Sequence, residues 1–192
     1  MPLDVSRRQF IALAGGAAAA AWLALDWDKV KALAAGGAKA HAEGAAFTNL
    51  SAVEGAALAA FAARIIPTDD TPGATEAGAV YFIDKALGSI AKAQRPAFEG
   101  LIKSLNAEAA KTKRGAAFAS LSPAQQDEAM RRVEKAHPDL FGAGRFGVIA
   151  GTLASPHHGG NRGNVGWKLI GFENRGQWSP PYGYYDRDRH SK

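Results

Sequence analysis

Apolar side chains recur three or four positions apart through most of this 192-residue chain, a spacing typical of amphipathic helices. A capping box, Ser51 with Glu54, opens the first such stretch, and Pro67 ends it. Four further stretches have helical spacing and a start or a stop signal. They are Val80 to Leu87, stopped by Gly88; a stretch that begins near Pro96 and carries Phe98 to Leu105; Ser122 to about Ala136, opened by a second capping box; and Leu140 to Leu153, closed by Pro156. Since no run of β-branched residues alternates with polar ones, the sequence predicts an all-α domain of about five helices.

The pattern changes after Pro156, where glycine becomes dense and no helical period continues. Residues 176–192 are rich in Pro and Tyr and end in mixed charge. No internal repeat or long linker divides the chain. The sequence therefore predicts one helical domain, residues 41–192, with an irregular Gly- and Pro-rich C-terminal segment whose tail is residues 176–192.

The first residues have the pattern of an export address. Ser6, Arg7, Arg8 and Phe10 form the core of a twin-arginine signal, in which paired guanidinium charges are read by a receptor. The apolar run 11–25 has fifteen residues, fewer than the roughly 20 of a membrane-spanning helix. The alternative is an ordinary cytoplasmic helix that begins with two arginines. The order of motif, apolar run and cleavage pattern favours a periplasmic protein carried by the twin-arginine translocase.

Two places fit a small-x-small cleavage pattern, one ending at Ala34 and one at Ala40. Cleavage after Ala40 would make residues 1–40 the signal peptide and leave a mature chain of one domain's length. Residues 1–40 hold five Lys or Arg and three Asp or Glu, so the formal net charge would fall from +5 to +3. The remaining charges are interspersed rather than gathered in a basic stripe, which argues against a nucleic-acid partner.

The chain contains no cysteine. This composition excludes disulfide bonds, iron–sulfur clusters, haem attached through paired cysteines and thiol catalysis. Stability must therefore come from an apolar core, which a hydrophobic fraction of 47% can supply.

Three groups of residues have part of the composition of a reactive site. Residues 142–147 match the dinucleotide fingerprint GxGxxG, but no strand precedes them, so we interpret these glycines as the junction before the fifth helix. His157 and His158 are adjacent, so they point in different directions, and no further ligands converge on them in the sequence. Asp69 and Asp70 lie on a turn, where carboxylates are more often solvated or capping. The sequence predicts no catalytic, cofactor-binding or metal-binding residue in this chain.

Trp167 lies within the glycine-rich segment, where residues of minimal bulk permit close backbone approach. Its ring could fill a pocket on a partner, as interface anchors do. It could equally fold back onto the chain's own helices. The spacing alone leaves both interpretations open.

Two separated stretches resemble one known family. The first contains Arg64-Ile65-Ile66-Pro67-Thr68-Asp69-Asp70 and continues to Asp84; we call residues 64–84 the front signature. The second contains Gly159-Gly160-Asn161 and Gly166-Trp167; we call residues 159–172 the closing signature. Together they resemble the gluconate 2-dehydrogenase subunit 3 family from about residue 47 to residue 173. His158 stands where the family commonly has an aromatic residue, and the tail after Arg175 is outside the shared pattern.

The resemblance implies a small helical subunit of a membrane-associated, periplasmic sugar or polyol dehydrogenase. The catalytic large subunit of such complexes is an FAD-dependent flavoprotein of the glucose–methanol–choline family, and a multihaem cytochrome c subunit commonly accepts the electrons. The flavoprotein typically lacks an export signal, so it folds around FAD in the cytoplasm and leaves bound to the small subunit. The resemblance thus implies a non-catalytic subunit that escorts, matures and stabilises the flavoprotein, with FAD and haem c held by its partners.

Loop residues without catalytic partners more often serve recognition. We therefore expect six residues of the two signatures at or near the partner surface: Asp69, Asp70, Gly159, Gly160, Asn161 and Trp167. The competing hypothesis is a free-standing periplasmic helical enzyme or ligand-binding protein with an unrecognised site. A chromophore, metal or turnover in the purified chain alone would favour that second hypothesis.

Overall fold

A computed structural model describes residues 46–156 and 160–174 of the chain. These residues contain seven α-helices and no strand, which confirms the all-α prediction for this part of the chain. The helices are α1 (Ala52–Ile65), α2 (Ala74–Ala77), α3 (Ala79–Leu87), α4 (Arg95–Thr112), α5 (Pro123–Ala136), α6 (Pro138–Leu153) and α7 (Val165–Leu169).

Several predictions fall outside the described residues. They concern the signal peptide with Ser6, Arg7, Arg8 and Phe10, the cleavage sites, the pair His157 and His158, Gly159, and the tail 176–192.

The five long helices begin close to the predicted positions, and α4 continues to Thr112, beyond the predicted apolar stretch that ends at Leu105. Ser51 caps α1 as expected: its hydroxyl accepts the backbone N–H of Glu54, whose carboxylate in turn accepts the N–H of Ser51 at 2.8 Å. Ser122 and Gln125 form the same reciprocal box at the start of α5. Both capping boxes leave few unsatisfied backbone donors at these helix starts, so the local sequence determines where α1 and α5 begin.

Two short helices were not predicted. α2 follows the polar turn of the front signature, and Gly78, with a φ of 72°, separates it from α3. α7 lies in the glycine-dense segment, where an irregular chain was expected. Helices of four or five residues are not stable by local propensity, so tertiary contacts must hold both in place.

α6 lies at the centre of the domain and contacts each of the other six helices of the described chain. Phe141 on α6 packs edge-to-face on Phe61 of α1, with 5.4 Å between the ring centroids. The fully buried side chains around it include Leu58, Ile83, Phe98, Leu101 and Leu105. This packing joins α1, α3, α4 and α6 in one core.

The glycines of the GxGxxG match lie inside α6, so their interpretation as a junction before the fifth helix was wrong. Pro138 suits the first turn of a helix, and α6 begins there, before the glycines. Gly144 and Gly147 face the side chains of Leu101 and Phe98, with no room for a Cβ of their own. These glycines let α6 approach its neighbours closely, which explains why the central helix can be poor in large side chains.

Among the described residues, no helix has both the length and the apolar character that crossing a membrane would require.

Candidate partner-binding site

The front and closing signatures meet in space. α2 of the front signature contacts both α7 and the 3-10 turn Arg162–Asn164, which belong to the closing signature. α6 lies beneath them and contacts both α2 and α7. The two stretches that define the family resemblance therefore form one continuous region of the domain.

The turn of the front signature is organised by Asp69. One carboxylate oxygen of Asp69 accepts the backbone N–H of Thr71 at 3.0 Å and its hydroxyl at 3.1 Å, while the Asp69 N–H donates to the carbonyl of Thr71. The backbone N–H of Thr71 is the main cause of a lowered pKa of Asp69. Asp69 and Asp70 are both exposed, so the turn presents two carboxylates to solvent.

Glu76 fastens this turn to α2. One of its carboxylate oxygens accepts the N–H of Gly73 and the hydroxyl of Thr68, each at 2.8 Å. Ala74 donates its N–H to the carbonyl of Ile66, so the chain on either side of the turn is joined by backbone as well. The exposed carboxylates thus lie on a braced loop.

Asn161 organises the closing signature from within. The residue is fully buried and has a φ of 49°, a left-handed conformation that Asn tolerates better than most residues. Its side-chain oxygen accepts the N–H groups of Gly166 at 2.7 Å and Trp167 at 3.3 Å. Asn161 therefore caps the first turn of α7 from a distance in sequence, since α7 has no local side-chain cap.

Gly160 brings this segment against the end of α6. The N–H of Asn161 donates to the carbonyl of Gly151 at 2.8 Å, and a Cβ on Gly160 would overlap that same carbonyl group. Gly151 itself faces the backbone of Ala79. Three backbones thus approach closely, which only glycine permits at this point.

Trp167 is half-buried, and of the two interpretations that its sequence context left open, the structure shows the ring folded back onto the chain's own helices. Its indole N–H donates to the carbonyl of Leu153 at 2.9 Å, which locks the ring against the end of α6. Its other edge packs on Phe172, with ring centroids 5.1 Å apart in an edge-to-face arrangement. The ring is therefore fixed by its own domain and still partly accessible.

Apolar side chains beside Trp167 are exposed. Leu169, Ile170 and Phe172 have exposed fractions of 39%, 57% and 45%. We call Trp167, Leu169, Ile170 and Phe172 the α7 patch. A cleft of about 580 Å³ opens next to it, lined by Pro156, Asn164, Trp167, Lys168, Phe172, Glu173 and Asn174.

Asp84 is a residue that sequence reasoning did not select as a site. It is buried on α3, and its carboxylate accepts the backbone N–H groups of Thr48, Asn49 and Leu50 at 2.7 to 3.0 Å. Arg95 of α4 donates to the carbonyl of Asn49 and pairs with Glu54. These bonds attach the chain before α1 to the core. An aspartate among the apolar residues Phe82, Ile83, Ala86 and Leu87 was the available signal.

The predicted interface residues separate into two groups. Asp69 and Asp70 are exposed and Trp167 is half-buried, so a partner can reach them. Gly160 and Asn161 are buried in this chain, so any effect they have on a partner passes through the position of α7. Gly159 lies outside the described residues. Among those that are described, no three His, Cys, Asp or Glu side chains cluster as metal ligands would.

The fold and this region define a small all-α protein whose two signature loops are braced by hydrogen bonds around an exposed apolar surface. The family model of gluconate 2-dehydrogenase subunit 3 matches residues 52–174, more than half of the chain, and the chain belongs to that family. No curated protein and no solved structure matches it. Membership makes the chain a subunit of a multi-subunit dehydrogenase complex, in agreement with the resemblance of the two signatures.

Proposed function

We propose that this chain is the non-catalytic small subunit that escorts an FAD-dependent sugar or polyol dehydrogenase through the twin-arginine pathway. It binds the folded flavoprotein, stabilises it and supplies the export signal for both. The complex then works in the periplasm, with a multihaem cytochrome c subunit as electron acceptor at the membrane. The observation that carries the proposal is the family match, because it makes the chain one subunit of a dehydrogenase.

The use of polar side chains in the signatures supports a binding role. Asp69 bonds to Thr71, Asp84 to the backbone before α1, and Asn161 to the start of α7. In each case the side-chain oxygen holds a loop in place, whereas a catalytic group must keep its reacting atom available to a substrate. Residues used in this way build a rigid surface that a partner can recognise.

The export address supports the escort role. The twin-arginine route transports proteins that are already folded, so it suits a flavoprotein that takes up FAD before export. A single signal serves two chains only if they leave as a complex. Ser6, Arg7 and Arg8 on a small helical subunit fit that division of labour.

The test replaces Arg7 and Arg8 with Lys in cells that produce both subunits. Lysine keeps the charge but lacks the planar donor array of arginine, so we expect the receptor to release the signal. Both this chain and the flavoprotein should then accumulate in the cytoplasm. Immunoblots of the periplasmic and cytoplasmic fractions, with flavin fluorescence of each, measure the outcome.

The matched control replaces Lys29 and Lys31 with Arg, which changes two basic residues of the same segment outside the twin-arginine core. This variant should export both proteins normally. Normal periplasmic flavoprotein in the Arg7→Lys, Arg8→Lys variant would refute the escort proposal, even if the small subunit itself remained in the cytoplasm. A chromophore or turnover in the purified small subunit would favour the free-standing enzyme instead.

A further inference from the structure

Large exposed apolar side chains are concentrated at one place in the described chain. Leu169, Ile170 and Phe172 lie within four consecutive positions, whereas Val53 and Ile149 are exposed singly on α1 and α6. Single exposed apolar residues are ordinary on protein surfaces. A group of exposed apolar residues within four positions, next to a half-buried tryptophan, has the composition of an interaction surface.

The α7 patch is held in one conformation before any partner binds. The carbonyl of Leu153 fixes the Trp167 indole, and Asn161 fixes the start of α7. The N–H of Phe172 donates to the carbonyl of Trp167 at 2.8 Å, which closes the chain around the helix end. A surface ordered in advance loses little conformational entropy on binding, so its contact area is used efficiently.

The neighbouring cleft has the composition of a site for a protein side chain. Its lining includes Trp167 and Phe172, with Asn164, Lys168 and Glu173 at the polar side. At about 580 Å³ it is larger than one side chain, so it has room for an apolar anchor and part of the segment that carries it. Interface energies are concentrated in such anchor-and-pocket pairs.

The charges beside the patch indicate the chemistry of the partner. Arg162 and Lys168 are both exposed, and neither forms an ion pair with another described residue. Glu173 also lines the cleft, so two cations and one carboxylate leave a net positive charge there. Two cations beside an apolar surface complement an acidic rim on the partner. They oppose self-association through this patch, because a two-fold interface would bring the same cations of two copies close together.

The position of the α7 patch in the sequence helps to decide between two remaining occupants, a partner protein and this chain's own C-terminal tail. The patch lies inside residues 52–174, which the family model matches, whereas residues 175–192 lie outside it. A surface within the subunit-family match suits a partner of that subunit better than it suits this chain's own tail. We propose that the α7 patch is the docking surface for the folded flavoprotein, which inserts an apolar side chain into the cleft and faces Arg162 and Lys168 with carboxylates. This inference rests on the proposed function for the identity of its occupant.

The main test measures binding of the purified flavoprotein to full-length small subunit by biolayer interferometry. Ile170→Ser removes the most exposed apolar side chain of the patch and no hydrogen bond, and Phe172→Ser removes one wall of the cleft. We expect the double variant to bind about 30-fold more weakly, as loss of an interface anchor typically does. Val53→Ser, which exposes a hydroxyl in place of an equally accessible apolar residue on α1, should leave the dissociation constant within about twofold.

A charge reversal tests the acidic rim separately. Lys168→Glu should slow association about tenfold at low salt and leave the dissociation rate nearly unchanged, because exposed rim charges act mainly on encounter. The effect should shrink as salt is raised. An association rate that Lys168→Glu leaves unchanged or increases would overturn the inferred charge of the partner's rim.

The outcomes separate this inference from the proposed function. If wild-type subunit binds the flavoprotein and the patch variants bind equally well, the docking inference is wrong and the escort function stands. If the wild-type subunit does not bind the flavoprotein, the proposed function is wrong, and the docking inference that rests on it is wrong as well. A lower melting temperature of the isolated Ile170→Ser subunit would mean that the chain covers its own patch. A wild-type dimer that Ile170→Ser dissociates would assign the patch to a second copy; either result overturns the proposal.

Discussion

Asn161 shows how a single residue can set the position of a surface that it does not join. It is buried and adopts a left-handed backbone conformation, and its side-chain oxygen accepts the N–H groups of Gly166 and Trp167. Alanine can supply neither the acceptor nor an easy positive φ, whereas glycine can supply the second. Comparing the two substitutions therefore separates the cap from the backbone conformation.

We expect Asn161→Ala to lower the free energy of unfolding of the isolated subunit by about 3 kcal/mol and Asn161→Gly by about 2 kcal/mol, because both lose the buried acceptor but only alanine is strained. Urea denaturation followed by circular dichroism measures both. Arg162→Ala, an exposed neighbour, serves as the control and should stay within about 0.5 kcal/mol of the wild type. Equal losses for the two Asn161 variants would show that the positive φ contributes nothing.

For individual residues, the sequence was a better guide to which residues are important than to the role of each one. Asn161 was selected through the signature and expected at a surface, and its burial depends on contact with Gly151 of α6, which no local pattern shows. Asp84 was not selected, because its three backbone partners lie more than 30 residues away along the chain. Trp167 was left between two alternatives, and the structure shows its contacts with Leu153 and Phe172 of its own chain, while contact with a partner stays a prediction.

The long helices, by contrast, were predictable because their signals are local. Capping boxes, proline in the first turn and apolar periodicity act within a few residues, and α1, α4 and α5 follow them. α2 and α7 were missed because their stability comes from each other and from α6. α1 and α5 are also joined by an ion pair between residues distant in sequence, Arg64 and Asp127.

The Arg64–Asp127 pair connects the end of α1 to α5. Two N–H groups of the Arg64 guanidinium donate to the Asp127 carboxylate at 2.6 and 2.8 Å. These hydrogen bonds lower the pKa of Asp127 below its ordinary value of 3.8. Because the pKa of Asp127 is lower in the folded chain than in the unfolded chain, its carboxylate stabilises the fold at pH values above the unfolded pKa. This contribution disappears as the pH falls through the folded pKa. The pair is partly exposed, so its contribution is modest.

Asp127→Asn should therefore lower the free energy of unfolding by about 0.5 kcal/mol at pH 7, because a partly exposed ion pair is lost. The difference between wild type and variant should narrow below about pH 4, as the wild-type carboxylate becomes protonated. Thermal unfolding at a series of pH values measures it. Glu134→Gln, an exposed carboxylate on the same helix, is the matched control. A difference that stays constant down to pH 2 would exclude the ion pair as its cause.

For the molecule as a whole, the sequence predicted the order of the five long helices and the family, and the structure adds how the parts are arranged. α6 touches every other described helix, and the two signatures meet on α2 and α7 at its end. This arrangement gives the domain one surface built by both signatures, while Asp84 attaches the chain before α1 to the core.

The escort proposal makes a prediction about division of labour that binding alone does not. If the small subunit binds the FAD-loaded flavoprotein better than the empty or unfolded form, it raises the amount of loaded enzyme by mass action and leaves the chemical step unchanged. Omitting it from co-expression should lower soluble, FAD-loaded flavoprotein about tenfold, while turnover per bound flavin stays within about twofold. Flavin absorbance against protein and dye-linked sugar oxidation per flavin measure the two quantities, with the Val53→Ser subunit as a control that restores full yield. A large fall in turnover at full FAD occupancy would mean that this subunit shapes the active site or the electron path, and the escort proposal would have to be abandoned.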